Sequence, residues 1–193
     1  MTTKAFEALA CPLDGEPLYR ESSSWRCANG HNFDVARQGY VHLLPVQKKR
    51  SKDPGDSKEM VAARQRFLGA GYYQPIAGAV SAAVLKDVSE GSHLDCLDAG
   101  CGEGYYLRQL ASAADGRVSL AVLGLDISKW AVLAAARRDR APSWVVGSNA
   151  NLPVQPASLD RVLCMFGFPV YAEFARVLKP GGKLIQVDAG QDH

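Results

Sequence analysis

A doubly wound α/β domain of the Rossmann-like kind, preceded by a small metal-stapled module, is the fold class this chain predicts. Three observations carry that expectation. From residue 93 onward, short apolar runs alternate with helical patterns over short connections. A glycine-rich turn, Asp98-Ala99-Gly100-Cys101-Gly102-Glu103-Gly104, follows the first of those runs. Ahead of residue 45, Cys, His, Gly, Pro and aromatic residues recur in short alternation without helical periodicity.

Strands are expected at 94–98, 118–126, 144–147, 159–166 and 183–188. Helices fit over 104–114 and 128–138, the latter with Ser128 as N-cap. Upstream, Asp56 and Glu59 read as a capping pair that opens a helix through Met60, Ala63, Phe67 and Leu68, ending near Gly69 and Gly71. A second helix starts at Pro75 and sets Ile76, Val80 and Val84 on one face. The chain thus divides into a zinc-ribbon-like module over 1–45, a basic linker with two helices over 46–92, and a ligand-binding α/β domain over 93–193.

At 193 residues, with 47% hydrophobic and 22% charged residues, the composition is that of a soluble globular protein with a core. No run of about 18 apolar residues is present, so no membrane span is expected, and no secretory signal is legible; a cytoplasmic protein is the default. Five cysteines, an odd number, argue against a disulfide framework; Cys96, Cys101 and Cys164 lie in apolar runs and read as core thiols. The net charge of +2 does not announce a nucleic-acid partner. The basic run Lys48, Lys49, Arg50 and Lys52 reads, by itself, as a solvated linker.

The glycine turn carries the chemistry. Glycines at alternate positions let the backbone approach a ligand at the carboxyl edge of the sheet, where doubly wound folds bind. The spacing Gly100-x-Gly102-x-Gly104 differs from the dinucleotide Gly-x-Gly-x-x-Gly, so a pyrophosphate is not the expected guest. Asp126 ends the second strand, where a carboxylate can accept both hydroxyls of a ribose. Ser148 and Asn149 follow the third strand, where polar groups could meet an adenine edge. Each piece alone is a turn or a capping acid; together, at the ends of three successive strands, they point to a nucleoside.

With Arg176-Val177-Leu178-Lys179-Pro180-Gly181-Gly182 added, residues 93 to 188 resemble class I S-adenosylmethionine-dependent methyltransferases. In the N-terminal module, Cys11-Pro12-Leu13-Asp14 and Cys27-Ala28-Asn29-Gly30-His31 have the spacing of two knuckles of a structural zinc site. Asp14 stands where a second cysteine is expected, which leaves zinc binding and a weakened site as alternatives. Those knuckles, Gly39-Tyr40-Val41-His42-Leu43-Leu44-Pro45, the segment from Lys49 to Ser57, Phe67-Leu68-Gly69-Ala70-Gly71-Tyr72-Tyr73 and Gly102-Glu103-Gly104-Tyr105-Tyr106 are similar to the bacterial 23S rRNA (guanine-N1)-methyltransferases of the RlmA type.

The resemblance implies S-adenosylmethionine as cofactor, 23S rRNA as partner, and transfer of a methyl group to N1 of a guanine in a hairpin loop. It implies Cys11, Cys27 and His31 as zinc ligands with Asp14 at the substituted position. Tyr73, Gly102, Glu103 and His193 become cofactor contacts, beside Asp98, Gly100 and Asp126 of the nucleoside reading. It turns Lys48, Lys49, Arg50 and Lys52 into RNA contacts that set register through phosphates, and it suggests a homodimer. No residue is singled out as the base that removes the N1 proton. The full class I sheet has more strands than this chain supplies after residue 93, so a truncated form with impaired transfer is an expectation. A small-molecule methyltransferase and a catalytically silent RNA-binding fragment are the competing readings.

Overall fold

A computed structural model describes residues 3–49 and 51–191. In chain order these form β1 (Thr3–Ala5), β2 (Tyr19–Glu21), β3 (Ser24–Arg26), β4 (Asn32–Asp34), β5 (Tyr40–His42), α1 (Lys58–Gly69), α2 (Gln74–Leu85), β6 (His93–Ala99), α3 (Tyr105–Ala114), β7 (Ser119–Asp126), α4 (Lys129–Arg138), β8 (Ser143–Val146), β9 (Leu159–Met165), α5 (Tyr171–Val177) and β10 (Leu178–Val187). A short 3-10 turn, Val46–Lys48, leads into the linker.

The main sheet has the order β10-β9-β6-β7-β8-β5, and every pair in it is parallel. From β6 the chain winds outward through β7 and β8, then returns to β9 and β10 on the other side. The switch therefore falls between β6 and β9, and the glycine turn leaves the carboxyl end of β6 beside it. Parallel strands buried on both faces read as continuous apolar runs, which is why β6, β7 and β9 were legible.

Alternate residues of each strand feed two cores. Leu94, Cys96, Leu120, Val122, Trp144, Val146, Leu163 and Met165 pack on one face with α2, α3 and α4. Leu97, Ala99, Leu123, Leu125, Val145, Val162 and Cys164 face the other way. There they meet Phe174 and Val177 of α5 together with Phe6, Leu9, Leu18, Trp25, Val41 and Leu43. The N-terminal segment thus takes part of the layer that helices occupy on the first face. Its own antiparallel sheet, β2-β3-β4, is the expected ribbon.

Two N-terminal strands join the main sheet. β5 pairs with β8, Tyr40 opposite Trp144. β1 runs beside the first half of β7, Thr3 opposite Leu120, where β8 has not yet begun to pair. Residue 45 is therefore a change of sequence character rather than a break in packing.

Two local expectations are corrected. The N-cap of α1 is Ser57, whose Oγ accepts from the Met60 N–H at 3.3 Å, and not Asp56. Asp56 is engaged elsewhere: its carbonyl accepts from Ser128 Oγ and its carboxylate pairs with Arg64. The last strand starts at Leu178, not 183, because Leu178 already pairs with Leu159 before a register shift at Lys183. The Lys179-Pro180-Gly181-Gly182 turn is structural, with Lys179 Nζ 3.0 Å from Asp95 and 3.3 Å from Asp160, tying the amino ends of β6 and β9. Ser128 caps α4 as expected, accepting from the Ala131 N–H.

Candidate cofactor cleft and metal centre

The turn after β6 is hooked to the end of β7. Gly100 and Cys101 donate N–H bonds to the Leu125 carbonyl at 2.7 and 2.9 Å. Asp126 at the tip of β7 accepts from the Gly102 N–H through one carboxylate oxygen and from the Ser128 N–H through the other, both at 2.9 Å. Burial raises the Asp126 carboxyl above the ordinary range, and the two N–H donors work against that rise. Beneath the turn lies Asp98, fully buried, with neither carboxylate oxygen partnered among the described residues. Burial, and secondarily the charge of Asp126, pushes its carboxyl up to about 7.

The three glycines of the turn divide the work. A Cβ at Gly100 or Gly102 would meet nothing within 4 Å, so the cradle faces open space. A Cβ at Gly104 would lie 2.7 Å from the Trp144 ring. The third glycine therefore admits an indole, and the two expected as cofactor contacts, Gly100 and Gly102, are the two that face open space. An orphaned carboxylate under an open backbone cradle suits a small ligand that presents a cationic or N–H donor group, such as the methionine end of S-adenosylmethionine.

That cradle opens into a cleft of about 370 Å³. Tyr73, Gly100, Gly102 and Glu103, all predicted, line it. Arg64, Phe67, Tyr105, Tyr106, Met165 and Phe166 line it as well and were not predicted as site residues. For Arg64 and Phe67 the missing signal is tertiary: they lie on α1, which the sequence places well ahead of the glycine turn. Phe166 carried a usable signal, a large aromatic just past a buried strand. Glu103 is 3% exposed, with its carboxylate 2.6 Å from Arg108 and 3.6 Å from Arg138.

Ser148 and Asn149 sit in the turn after β8 and do not line the cleft. Ser148 Oγ accepts from the Ala150 N–H, and Asn149 Nδ2 donates to the Phe168 carbonyl at 3.2 Å. Lys48 and Lys52 are exposed and Lys49 is half-buried; Arg50 and His193 lie outside the described residues. The linker that follows the basic run is strapped to the same edge. Lys129 Nζ is 2.6 Å from Asp53, and Ser128 Oγ donates to the Asp56 carbonyl at 2.6 Å. Gly55 fits against Ile127 and Ser128, where a Cβ would come within 2.8 Å.

In the N-terminal module, Cys11, Asp14, Cys27 and His31 bring four ligand atoms within 4.8 Å of one another. His31 Nδ1 lies 3.5 Å from Cys11 Sγ, 3.3 Å from Cys27 Sγ and 3.0 Å from Asp14 Oδ2, and Cys27 Sγ is 3.5 Å from that same oxygen. A tetrahedral zinc with bonds of about 2.0–2.3 Å sets ligand-to-ligand separations of roughly 3.3–3.8 Å. The donor set therefore fits zinc, with Asp14 serving as the oxygen ligand. Asn29 Nδ2 donates to Asp14 Oδ2 at 2.8 Å and fixes that carboxylate, holding its pKa well below the usual range.

The sheet order and the glycine turn define a class I S-adenosylmethionine-dependent methyltransferase. Solved structures agree on the fold. A Methanococcus maripaludis protein described as an S-adenosyl-L-methionine-dependent methyltransferase superposes with a TM-score of 0.55 at 20% identity, covering 72% of this chain and 67% of that one. Haemonchus contortus phosphoethanolamine N-methyltransferase 2, solved with S-adenosyl-L-methionine, gives 0.55 at 22% identity, over 67% and 32%. Family models match in two blocks: "RlmA, N-terminal", a zinc ribbon, over residues 9–52, and "Methyltransferase domain" over residues 96–182.

Curated relatives span both blocks. The 23S rRNA (guanine(748)-N(1))-methyltransferase of Streptomyces fradiae is 36% identical over 96% of this chain and 64% of its own length. YxjB of Bacillus subtilis, which carries a 23S rRNA (guanine-N(1)-)-methyltransferase name, is 32% identical over 99% and 67%. The chain belongs to the bacterial 23S rRNA (guanine-N1)-methyltransferase family of the RlmA type. It spans about two thirds of the length of the curated relatives it matches.

Proposed function

We propose that this chain transfers the methyl group of S-adenosylmethionine to N1 of a guanine in an unpaired loop of 23S rRNA. One observation carries the reading: a cofactor cleft and a zinc ribbon occur together in one chain, 32–37% identical over 96–99% of its length to relatives named for that reaction. Bound S-adenosylmethionine supplies an activated sulfonium methyl, so the task left to the protein is alignment.

Gly100 and Gly102 form the cradle, and Asp98 accepts from the ligand's cationic end through its two free oxygens. Asp126, already fixed by two backbone N–H groups, keeps lone pairs for the ribose hydroxyls. Tyr73 walls the cleft. Glu103, held by Arg108 and Arg138, fixes the shape of the turn. Ser148 and Asn149 border the adenine end by closing the loop that Asn149 pins to Phe168. Residues 1–45 act as the zinc-ribbon part of the RNA-binding surface, 46–92 as the basic connection and 93–193 as the cofactor-binding part. Lys48, Lys49 and Lys52 contact phosphates from the strap, and a guanine in a loop reaches the methyl group by leaving its stack.

Among the described residues no helix is long and apolar enough to cross a membrane. Action on ribosomal RNA sets the working place in the cytoplasm. The family resemblance supports a homodimer, which light scattering of the purified chain reads directly. The deciding experiment incubates the chain with 23S rRNA and labelled S-adenosylmethionine. The modified base is then mapped by the block that N1-methylguanine sets to reverse transcription. Label at one loop guanine is expected. Cofactor binding without any transfer to RNA would favour the silent RNA-binding reading, and transfer to small acceptors alone would overturn the RNA substrate.

A further inference from the structure

A row of aromatic rings runs along the cleft into solvent. Tyr72 and Phe67 have ring centroids 5.3 Å apart, Phe67 and Tyr73 5.0 Å, and Tyr73 and Phe166 5.6 Å. The inner rings line the cleft. Beyond them two rings stand in solvent: Tyr72, against Phe67, is 70% exposed, and Phe168, two residues past Phe166, is 90% exposed. A single exposed apolar side chain is ordinary, but a row of them beside a ligand cleft marks a binding surface.

The backbone that presents Phe168 is held at both ends. Phe166 adopts a left-handed φ of +53°, which is uncommon for a bulky residue and gathers at functional sites. Its N–H donates to the Val187 carbonyl at 2.7 Å. The Phe168 carbonyl accepts from Asn149 Nδ2, while Asn149 Oδ1 is buried without a partner among the described residues. Pro169 follows and fixes the next φ. The fold therefore spends backbone constraint on a ring that packs against no core.

We propose that Tyr72, at the outer end of this row, and Phe168, two residues past Phe166 at its inner end, are stacking platforms for unpaired bases of the RNA loop entering the cofactor cleft. The inference rests on the RNA reading above and names residues for it. Every nucleobase has a flat face, and stacking on an exposed ring tolerates any sequence. Cations are at hand to meet the phosphates: Arg64 on the cleft wall, exposed Lys52 next to Asp53 of the strap that Ser128 and Lys129 hold, and exposed Lys48 ahead of it in the chain. A narrow row of rings with a cation on the cleft wall suits bases and phosphates better than it suits the broad apolar face of a folded protein.

The test uses the whole chain with S-adenosylhomocysteine and a hairpin RNA spanning guanine 748 of 23S rRNA, the position in the Streptomyces fradiae relative's name. 2-Aminopurine replaces each loop base in turn, since stacking quenches its fluorescence. The wild-type chain quenches at two loop positions. Phe168→Ala and Tyr72→Ala each lose quenching at one of them and weaken RNA binding about tenfold, whereas Phe168→Tyr and Tyr72→Phe restore both. Neither residue lines the cofactor cleft, so S-adenosylmethionine affinity by calorimetry stays unchanged in all four and reports that each is folded. A Phe168→Ala/Tyr72→Ala double variant that binds and quenches like wild type overturns the stacking rim. A wild-type chain that binds S-adenosylmethionine but not the hairpin overturns the RNA reading, and the rim with it.

Discussion

Asp98 has both carboxylate oxygens buried and unpartnered, and its carboxyl is pushed up to about 7 from 3.8, by burial first and by Asp126 second. A carboxyl whose folded pKa lies above its unfolded value costs stability as pH rises, beginning near the unfolded pKa and complete above the folded one. Between 3.8 and about 7 that cost reaches roughly 4 kcal/mol at 1.36 kcal/mol per unit. Asp98→Asn removes it, so the ligand-free variant should gain in melting temperature over wild type as pH rises from 5 to 8. The cofactor reverses the sign. A cationic ligand group pairs with the ionised carboxylate, so S-adenosylmethionine affinity should climb through pH 7 in wild type and stay flat and weak in Asp98→Asn. Calorimetry at pH 6 and pH 8 measures both, and equal pH sensitivity in the two proteins would remove Asp98 from the ligand site.

At the scale of elements, Trp144 explains two glycines, Gly104 of the turn and Gly124 of β7. Its indole Nε1 donates to the Asp139 carbonyl at 2.6 Å, and its ring fills the space between the start of α3 and the middle of β7. A Cβ on Gly124 would fall 2.2 Å from that ring and one on Gly104 2.7 Å. Gly124→Ala should therefore destabilise the chain by about 2–3 kcal/mol, or roughly 5–10 °C in melting temperature. Trp144→Phe should recover part of the loss in the double variant. Gly100→Ala, whose Cβ meets nothing within 4 Å but whose φ of +93° strains any L side chain, should lose about 1–2 kcal/mol through backbone strain and, unlike Gly124→Ala, lose S-adenosylmethionine affinity well beyond that. If Gly100→Ala and Gly124→Ala shift stability and affinity in the same proportion, this division is wrong.

The same scale separates what the chain discloses locally from what it does not. Strands β6, β7 and β9 are apolar runs buried on both faces, so their residues announce them wherever they pair. β1 and β5 are three residues each, and their partners in β7 and β8 lie far along the chain. Ser57 and Asp56 are both good N-caps; Ser128 and Arg64 decide between them by engaging Asp56. Within the candidate site, Asp126 has a local reason, since it accepts the Gly102 and Ser128 N–H groups, whereas Asp98 is bonded to nothing among the described residues. Arg64 and Phe67 depend on how α1 meets the glycine turn, which no local pattern encodes, whereas Phe166 follows a buried strand directly.

For the molecule as a whole, the consequential fact is where the metal module packs. Cys11, Leu18, Trp25 and Cys27 share one apolar cluster with Leu97, Leu123 and Val162 of the main sheet. A ribbon of three-residue strands has too little core to order itself, so a zinc ion held by Cys11, Asp14, Cys27 and His31 would order the part of this layer that the N-terminal segment contributes. Metal removal should then lower the melting temperature of the entire chain in one transition, followed by tryptophan fluorescence with and without a chelator. Asn29→Ala frees the Asp14 carboxylate and should weaken zinc binding about 10–100-fold, measured against a chromophoric competitor. Asp14→Cys should strengthen it, since thiolate is the softer ligand. The cofactor cleft lies across the sheet from this layer, between the turn after β6 and α1. A chelated chain that keeps wild-type S-adenosylmethionine affinity and unfolds in two separate steps would show that the two faces are energetically independent. Loss of affinity in step with loss of zinc would show that the ribbon, wherever it touches RNA, first holds the sheet that carries the cofactor.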